Sequence, residues 1–218
     1  MGIEAFAERI SVSEQSSIRY AGSSVLYFDP FRIPDAGAKH DADLIFLTHD
    51  HFDHFSPADI RKVSSPDTVF LMPLTMVQAK AQLGLDEDHV ILMRPGEKRV
   101  LFDTEIVAVP AYNPAKPFHP KANGWLGYAV SIDGITLYVT GDCDDTPEAA
   151  EQKPDVLFVP IGGTYTTDPE QAAELTKKIS PKAVVPTHYG TVVGTKDMIS
   201  RFRDALGEEI PVWEKLKF

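Results

Sequence analysis

Apolar positions along the chain change period several times, and each change predicts an element. Ser16 to Tyr20 and Ser23 to Phe28 are short β-rich runs on either side of a turn at Ala21-Gly22. Asp43 to Thr48 (DLIFLT) is almost continuously apolar, as in a strand covered on both faces. Ser56-Pro57-Ala58-Asp59 follows, with a capping serine, a proline at the first helical position and an early acid, so a helix starts there. Thr68 to Met72 predicts another strand, and Thr75 to Leu83 a helix stopped by Gly84. Arg99 to Phe102, Glu105 to Pro110, Leu126 to Ile132 and Ile135 to Thr140 read as antiparallel strands, the last two joined by the hairpin turn Asp133-Gly134. Asp155 to Ile161 (DVLFVPI) is a second buried strand. A helix runs from Asp168-Pro169 to about Ile179, Lys182 to Pro186 is a short strand leading into Thr187-His188, and Thr195 to Leu206 is an amphipathic helix. Two β-rich halves, each finishing in α/β segments, predict a sheet-on-sheet core with helices packed outside.

Length and charge narrow this picture. The 218 residues fit one α/β domain over 1–218, with no repeat or linker to divide it. A net charge of -11 repels phosphate backbones, so nucleic acid is not an expected partner. Cys143 is the one cysteine, which forbids an internal disulfide and suits a reducing compartment. The start, MGIEAFAERI, carries two glutamates and no long apolar stretch, unlike a secretory signal. No run approaches the roughly 18 apolar residues of a membrane span. The expectation is an acidic cytoplasmic domain with a small-molecule substrate and no membrane partner, homo-oligomerisation being left open.

The candidate chemistry is concentrated in His49-Asp50-His51-Phe52-Asp53-His54. Four metal-competent side chains, His49, His51, Asp53 and His54, fall within six residues on the loop between a buried strand and a helix. Alternate residues of such a loop can face one way while His54 turns toward a second centre. Imidazole nitrogen and carboxylate oxygen suit zinc and related divalent ions. A histidine-rich surface loop is the plain alternative, but such clusters rarely follow a buried strand by chance.

His49-x-His51-x-Asp53-His54 resembles the signature of the metallo-β-lactamase superfamily, an α/β fold of four αβ/βα layers. Thr140-Gly141-Asp142, Gly162-Gly163-Thr164-Tyr165-Thr166 and Pro186-Thr187-His188-Tyr189 extend the likeness, from about Ser16 to about Gly194, toward the small hydrolases related to L-ascorbate-6-phosphate lactonase. The resemblance implies two divalent ions, zinc first with manganese or iron as alternatives. His49 and His51 would hold one, Asp53, His54 and His188 the other, and Asp142 would bridge them. The first centre's third ligand has two candidates, Asn113 and, six residues on, His119. Imidazole is the better donor for zinc-like metals, so His119 is expected. Gln15 stands where related chains often carry a histidine, a position expected beside the ligands, and Asp29 is a candidate brace for the histidine loop.

Read this way, the chain is a metal-dependent hydrolase that attacks an ester, lactone or phosphate ester with metal-activated water, Asp53 and Asp142 being the catalytic carboxylates. Tyr165 and Tyr189 are candidates to donate to substrate, although packing is the ordinary role of tyrosine. Lys116 and Lys121 are candidates for a substrate carboxylate or phosphate, with Phe118 and Trp125 walling the pocket. Cys143 reads as a small buried thiol. Two other readings stand beside this one: a nuclease or phosphodiesterase of the same superfamily, disfavoured by the charge and by the short interval from Asp142 to His188, and a metal-binding sensor with an incomplete first centre.

Overall fold

The computed structural model describes residues 1–216. The first half contains α1 (Ile3–Ala7), β1 (Ile10–Val12), β2 (Ile18–Ala21), β3 (Val25–Phe28), β4 (Ala42–Phe46), α2 (Pro57–Val63), β5 (Ser64–Pro73), α3 (Val77–Leu83) and β6 (Val90–Met93). The second contains β7 (Lys98–Leu101), β8 (Thr104–Pro110), β9 (Leu126–Ile132), β10 (Ile135–Val139), α4 (Pro147–Ala150), β11 (Val156–Pro160), α5 (Pro169–Ile179), β12 (Ala183–Thr187) and α6 (Met198–Leu206).

The strands form two six-stranded sheets, in the orders β1-β2-β3-β4-β5-β6 and β12-β11-β10-β9-β8-β7. Each is antiparallel in its early strands and parallel in its later ones. This is the change of pattern read above, repeated in each half. The local signals act as expected. Ser56 caps α2 by accepting from the Asp59 amide, and Pro57 opens the helix. Gly84 closes α3 in the left-handed region at φ 70°, where a side chain is strained. Asp168 and Gln171 form a reciprocal capping box on α5. The unpredicted α1, β1, β6 and α4 have three to five residues each, too few for a period to show.

Four layers result. Apolar side chains of both sheets interleave in the main core, where Phe46 stacks on Phe28 (4.6 Å between centroids) and tilts against Tyr128 (5.1 Å) from the opposite sheet. Tyr128 also donates to the Leu47 carbonyl at 2.9 Å, crossing the sheets where β4 runs into the histidine segment. Ile60 and Val63 of α2 and Ala79 of α3 cover the outer face of the first sheet over Ile45, Phe70 and Met72. Ala172, Leu175 and Ile179 of α5 and Phe202 and Leu206 of α6 are buried with the second. Among the described residues no helix is long and apolar enough to cross a membrane.

Candidate metal centre

Four loops at the C-terminal ends of strands converge. After β4 comes 49–56, after β8 the loop with Asn113 and His119, after β10 the turn with Asp142, and after β12 the loop with His188. The first is pinned at its base: Asp29, just past β3, accepts from the Thr48 amide (2.8 Å), the Thr48 hydroxyl (2.6 Å) and His54 Nδ1 (2.8 Å). His54 and Phe55 amides close a turn onto the His51 carbonyl. Asp29 and His188 both have left-handed backbone, φ 43° and 57°, an unusual conformation held by these contacts.

His49, His51 and His119 form one triad and Asp53, His54 and His188 another. In each, one candidate atom per residue lies within 4.8 Å of the others, and the group His49, His54 and Asp142 joins them. Asp142 lies between: Oδ1 is 3.2 Å from His54 Nε2, and Oδ2 is 3.4 Å from both His119 Nε2 and His188 Nε2. All but His51 are buried or nearly so.

The surrounding hydrogen bonds set which ring nitrogens face inward. The Thr48 hydroxyl gives its hydrogen to Asp29, so at 2.9 Å from His49 Nδ1 it accepts. His54 Nδ1 donates to Asp29 and His119 Nδ1 donates to Asn113 Oδ1 at 2.7 Å. Each arrangement leaves Nε2 directed at the cluster. Pairs of such nitrogens then meet closely, His49 Nε2 with His51 Nδ1 at 3.1 Å and His54 Nε2 with His188 Nε2 at 3.2 Å. His119 Nε2 and Asp142 Oδ1 are buried without a hydrogen bond among the described residues. Ring nitrogens so close together, ringed by carboxylates, are the donor set a divalent cation satisfies once it has displaced the protons they hold.

Electrostatics agree. Burial opposes charge on His54, but Asp142 and Asp29 outweigh it and raise its pKa well above the usual histidine range. Burial, with the charge of His54, holds His49 well below it, and burial and His119 lower His51. Burial also opposes ionisation of Asp142, yet His188 and His54 keep its carboxyl well below the ordinary range. Asp53 is likewise held at about 2, burial being overcome by His188 and His54. Both carboxylates are therefore ionised, and the ring nitrogens around them sit in strong negative potential.

The side chains expected as ligands all come together, and the two candidates for the first centre's third position take different places. His119 is in the triad and Asn113 stands behind it as acceptor. Gln15, fully buried, donates to Asp53 Oδ2 at 3.2 Å while its carbonyl oxygen accepts from Thr191 and its backbone carbonyl from the His188 amide. Gly162 is needed for close approach, because a Cβ there would lie 2.2 Å from the His188 carbonyl oxygen.

A cavity of about 510 Å³ opens over the cluster, lined by His51, Asp53, Asp142, His188, Phe52, Phe118, Tyr165, Val192 and Val193. Of the expected substrate contacts only Tyr165 lines it, its ring edge-on to Phe118 at 4.7 Å. Lys116 is instead held by Asp144 (2.7 Å) and the Thr166 carbonyl (2.5 Å), and Lys121 by Glu148 (2.6 Å). Tyr189 is fully buried in the main core. Trp125 lies behind the histidines, 4.8–5.4 Å from the rings of His49, His51 and His119, rather than on the wall. Cys143 is buried, its thiol pushed up to about 12 by desolvation. Phe52, Val192 and Val193 were not singled out from sequence; the signal was an apolar pair inside a glycine-flanked polar loop.

Two facing mixed sheets with outer helices and a histidine-aspartate cluster at the strand ends define the metallo-β-lactamase fold. The model of the β-lactamase superfamily domain matches residues 12–188. A UPF0173 metal-dependent hydrolase of Pyrococcus furiosus is 32% identical over 203 residues, covering 88% of each chain. One from Myxococcus xanthus is 32% identical over 202 residues, 84% of this chain and 71% of its own. A solved chain from Parabacteroides distasonis superposes with TM-score 0.80 at 30% identity, covering 95% of this chain and 93% of that one. Igni18, a metallo hydrolase of Ignicoccus hospitalis, shares the fold at TM-score 0.75 and 23% identity, over 94% and 93%. The chain belongs to the metallo-β-lactamase superfamily, among its UPF0173 metal-dependent hydrolases.

Proposed function

We propose that this hydrolase acts on a small-molecule ester, lactone or phosphate ester with two divalent ions, zinc first, held by His49, His51 and His119 and by Asp53, His54 and His188, with Asp142 shared. The observation that carries the reading is the pair of complete triads joined by Asp142. Such ions, when bound, lower the pKa of water and offset the charge developing on the attacked group. The chain's own residues supply the remainder. Asp53, ionised down to about pH 2 and fixed by Gln15, faces the cavity and orients the attacking water by accepting its hydrogen bond. Asn113, Asp29 and Thr48 keep three ring nitrogens pointed inward. Tyr165 stands at the mouth, in reach of a substrate oxygen.

A nuclease reading has little support, since among the described residues the cavity wall carries no lysine or arginine and the chain is strongly acidic. The test is metal analysis with a substrate panel. Zinc- or manganese-loaded protein is expected to hold two ions per chain and to hydrolyse a member of the lactone, ester or phosphate-ester panel. His49→Ala and Asp142→Ala are expected to lose both metal and activity. Inactivity of fully loaded protein across the panel overturns the proposal, and one ion per chain overturns its two-metal form.

A further inference from the structure

The cavity wall holds more information than the ligands do. Phe52, Phe118 and Tyr165 are 67%, 40% and 40% exposed, a concentration of large rings at one rim, and Val192 and Val193 face them as half-buried side chains. Large apolar groups left in water singly are ordinary; five around one mouth form a surface that gains free energy when a ligand covers it. The polar side chains of the wall are the candidate ligands themselves, apart from the Tyr165 hydroxyl.

Recognition of a second charge is missing. The two nearest lysines in sequence to His119 are neutralised, Lys116 by Asp144 and Lys121 by Glu148. A remote phosphate or carboxylate would enter an acidic protein, lose water and meet no cationic side chain on this wall among the described residues. A phosphoryl centre also presents several oxygens that need donors beyond the ions, whereas a carbonyl presents one.

Resting on the hydrolase reading above, we infer that the substrate is an uncharged lactone or ester with an apolar group of about phenyl size beside the scissile bond and no second anionic group. The apolar group lies between the Phe52–Phe118–Tyr165 rim and Val192–Val193. The reaction is plain hydrolysis: water adds to the carbonyl carbon, the acyl–oxygen bond breaks, the leaving oxygen takes one of the water's protons, and the other is lost to solvent as the product leaves as a carboxylate.

The experiment uses zinc-loaded full chain and γ-lactones with alkyl tails from methyl to hexyl, with a matched lactone whose tail ends in phosphate. The value of kcat/KM is expected to climb with tail length, by up to about fourfold per fully buried methylene. It is expected to fall at least tenfold for the phosphate-tipped compound. Phe118→Ala should flatten the climb with two ions still bound, and Val192→Lys should recover the phosphate-tipped lactone. A flat series, or preference for the phosphate tip, overturns the inference while leaving the hydrolase reading intact. Should no lactone, ester or phosphate ester turn over, that reading fails. The inference then falls with it, since it names a lactone or ester as the compound hydrolysed, whereas a flat series with turnover overturns the inference alone.

Discussion

Asn113 offers the sharpest test of how the first triad is organised. Its Oδ1 accepts from His119 Nδ1 at 2.7 Å, and both residues are at least 96% buried. Asn113→Ala leaves His119 in place but removes the partner that holds its proton on Nδ1. Two costs follow. The buried Nδ1–H goes unsatisfied, worth about 1–3 kcal/mol, and this falls on the fold whether or not metal is present. The ring is also free to turn and to carry its proton on Nε2, the atom aimed at the cluster, which falls on metal affinity alone. Loss of such an orienting contact typically weakens binding by about 10–100-fold, or about 1.4–2.8 kcal/mol. His119→Ala removes a donor outright and is expected to cost more.

The assay is competition of metal-free protein against a chromophoric chelator for zinc, with melting of the metal-free variants to separate the two costs. Asn113→Ala should weaken one of two ions by about 10–100-fold, and His119→Ala should abolish it. Asn113→Asp, which keeps the acceptor and adds charge, should bind at least as tightly as wild type. If Asn113→Ala loses an ion that His119→Ala retains, the asparagine is the ligand and the assignment is wrong. Unchanged affinity in Asn113→Ala would refute the orienting role.

Four further outcomes are expected. In metal-free protein His54 retains a proton through neutrality because its pKa is raised by Asp142 and Asp29, so zinc must displace it. Affinity should rise with pH, by up to about tenfold per unit for one proton, and the calorimetric heat should depend on the buffer's ionisation enthalpy; a buffer-independent heat contradicts this. The same shift fixes a sign for stability: the His54 contribution to the metal-free fold is complete below its unfolded pKa and is lost as pH rises through the raised folded value, so the Tm of metal-free protein should fall as pH rises through that value, and a rise would contradict this. Gly162→Ala forces a Cβ to within 2.2 Å of the His188 carbonyl, so it should destabilise by about 1–3 kcal/mol and weaken the second triad's ion, whereas unchanged melting and metal content would show that the loop yields freely. Chelation should lower Tm by about 8–16 °C per ion held a thousandfold above its Kd, from about 4 kcal/mol of linkage at about 2–4 °C per kcal/mol; an unchanged Tm would mean the ligands are held equally well without metal.

Much of this architecture was legible because its signals are local. The DLIFLT run, the Ser56 and Asp168 caps, the Gly84 stop and the Asp133-Gly134 turn depend on neighbours a few residues away, and each is found where the pattern predicts. The loops of the histidine-aspartate cluster are legible for a related reason, since histidines and aspartates directly after apolar runs lie at strand ends. The substrate contacts were not. Whether Lys121 is free depends on Glu148, 27 residues on, and Lys116 is held by Thr166, 50 residues on. Tyr189 follows His188, whose left-handed backbone sends the next ring into the core and defeats any alternation argument. Asn113 and His119 both stand out in sequence as candidates for one position, and only the three-dimensional structure shows the hydrogen bond between them.

The cluster belongs to neither half of the chain. His49, His51, Asp53 and His54 come from the first sheet's loops and His119, Asp142 and His188 from the second's. Contacts that cross between the halves set their spacing: the Leu126 amide on the Thr48 carbonyl at 3.1 Å, Tyr128 on the Leu47 carbonyl at 2.9 Å, and the His188 amide on the Gln15 carbonyl at 3.0 Å. All three end at or beside residues of the histidine-aspartate cluster or of the side chains hydrogen-bonded to it. The interleaved core between the sheets therefore does two things at once: it buries the apolar faces that hold the fold together, and it fixes the distance between donor atoms supplied by opposite halves. Neither half alone presents a complete triad in the first centre or in the second, because His119 and His188 arrive from the far sheet. An ion bound there would link the halves directly, so metal binding is expected to stabilise the packing of one sheet on the other.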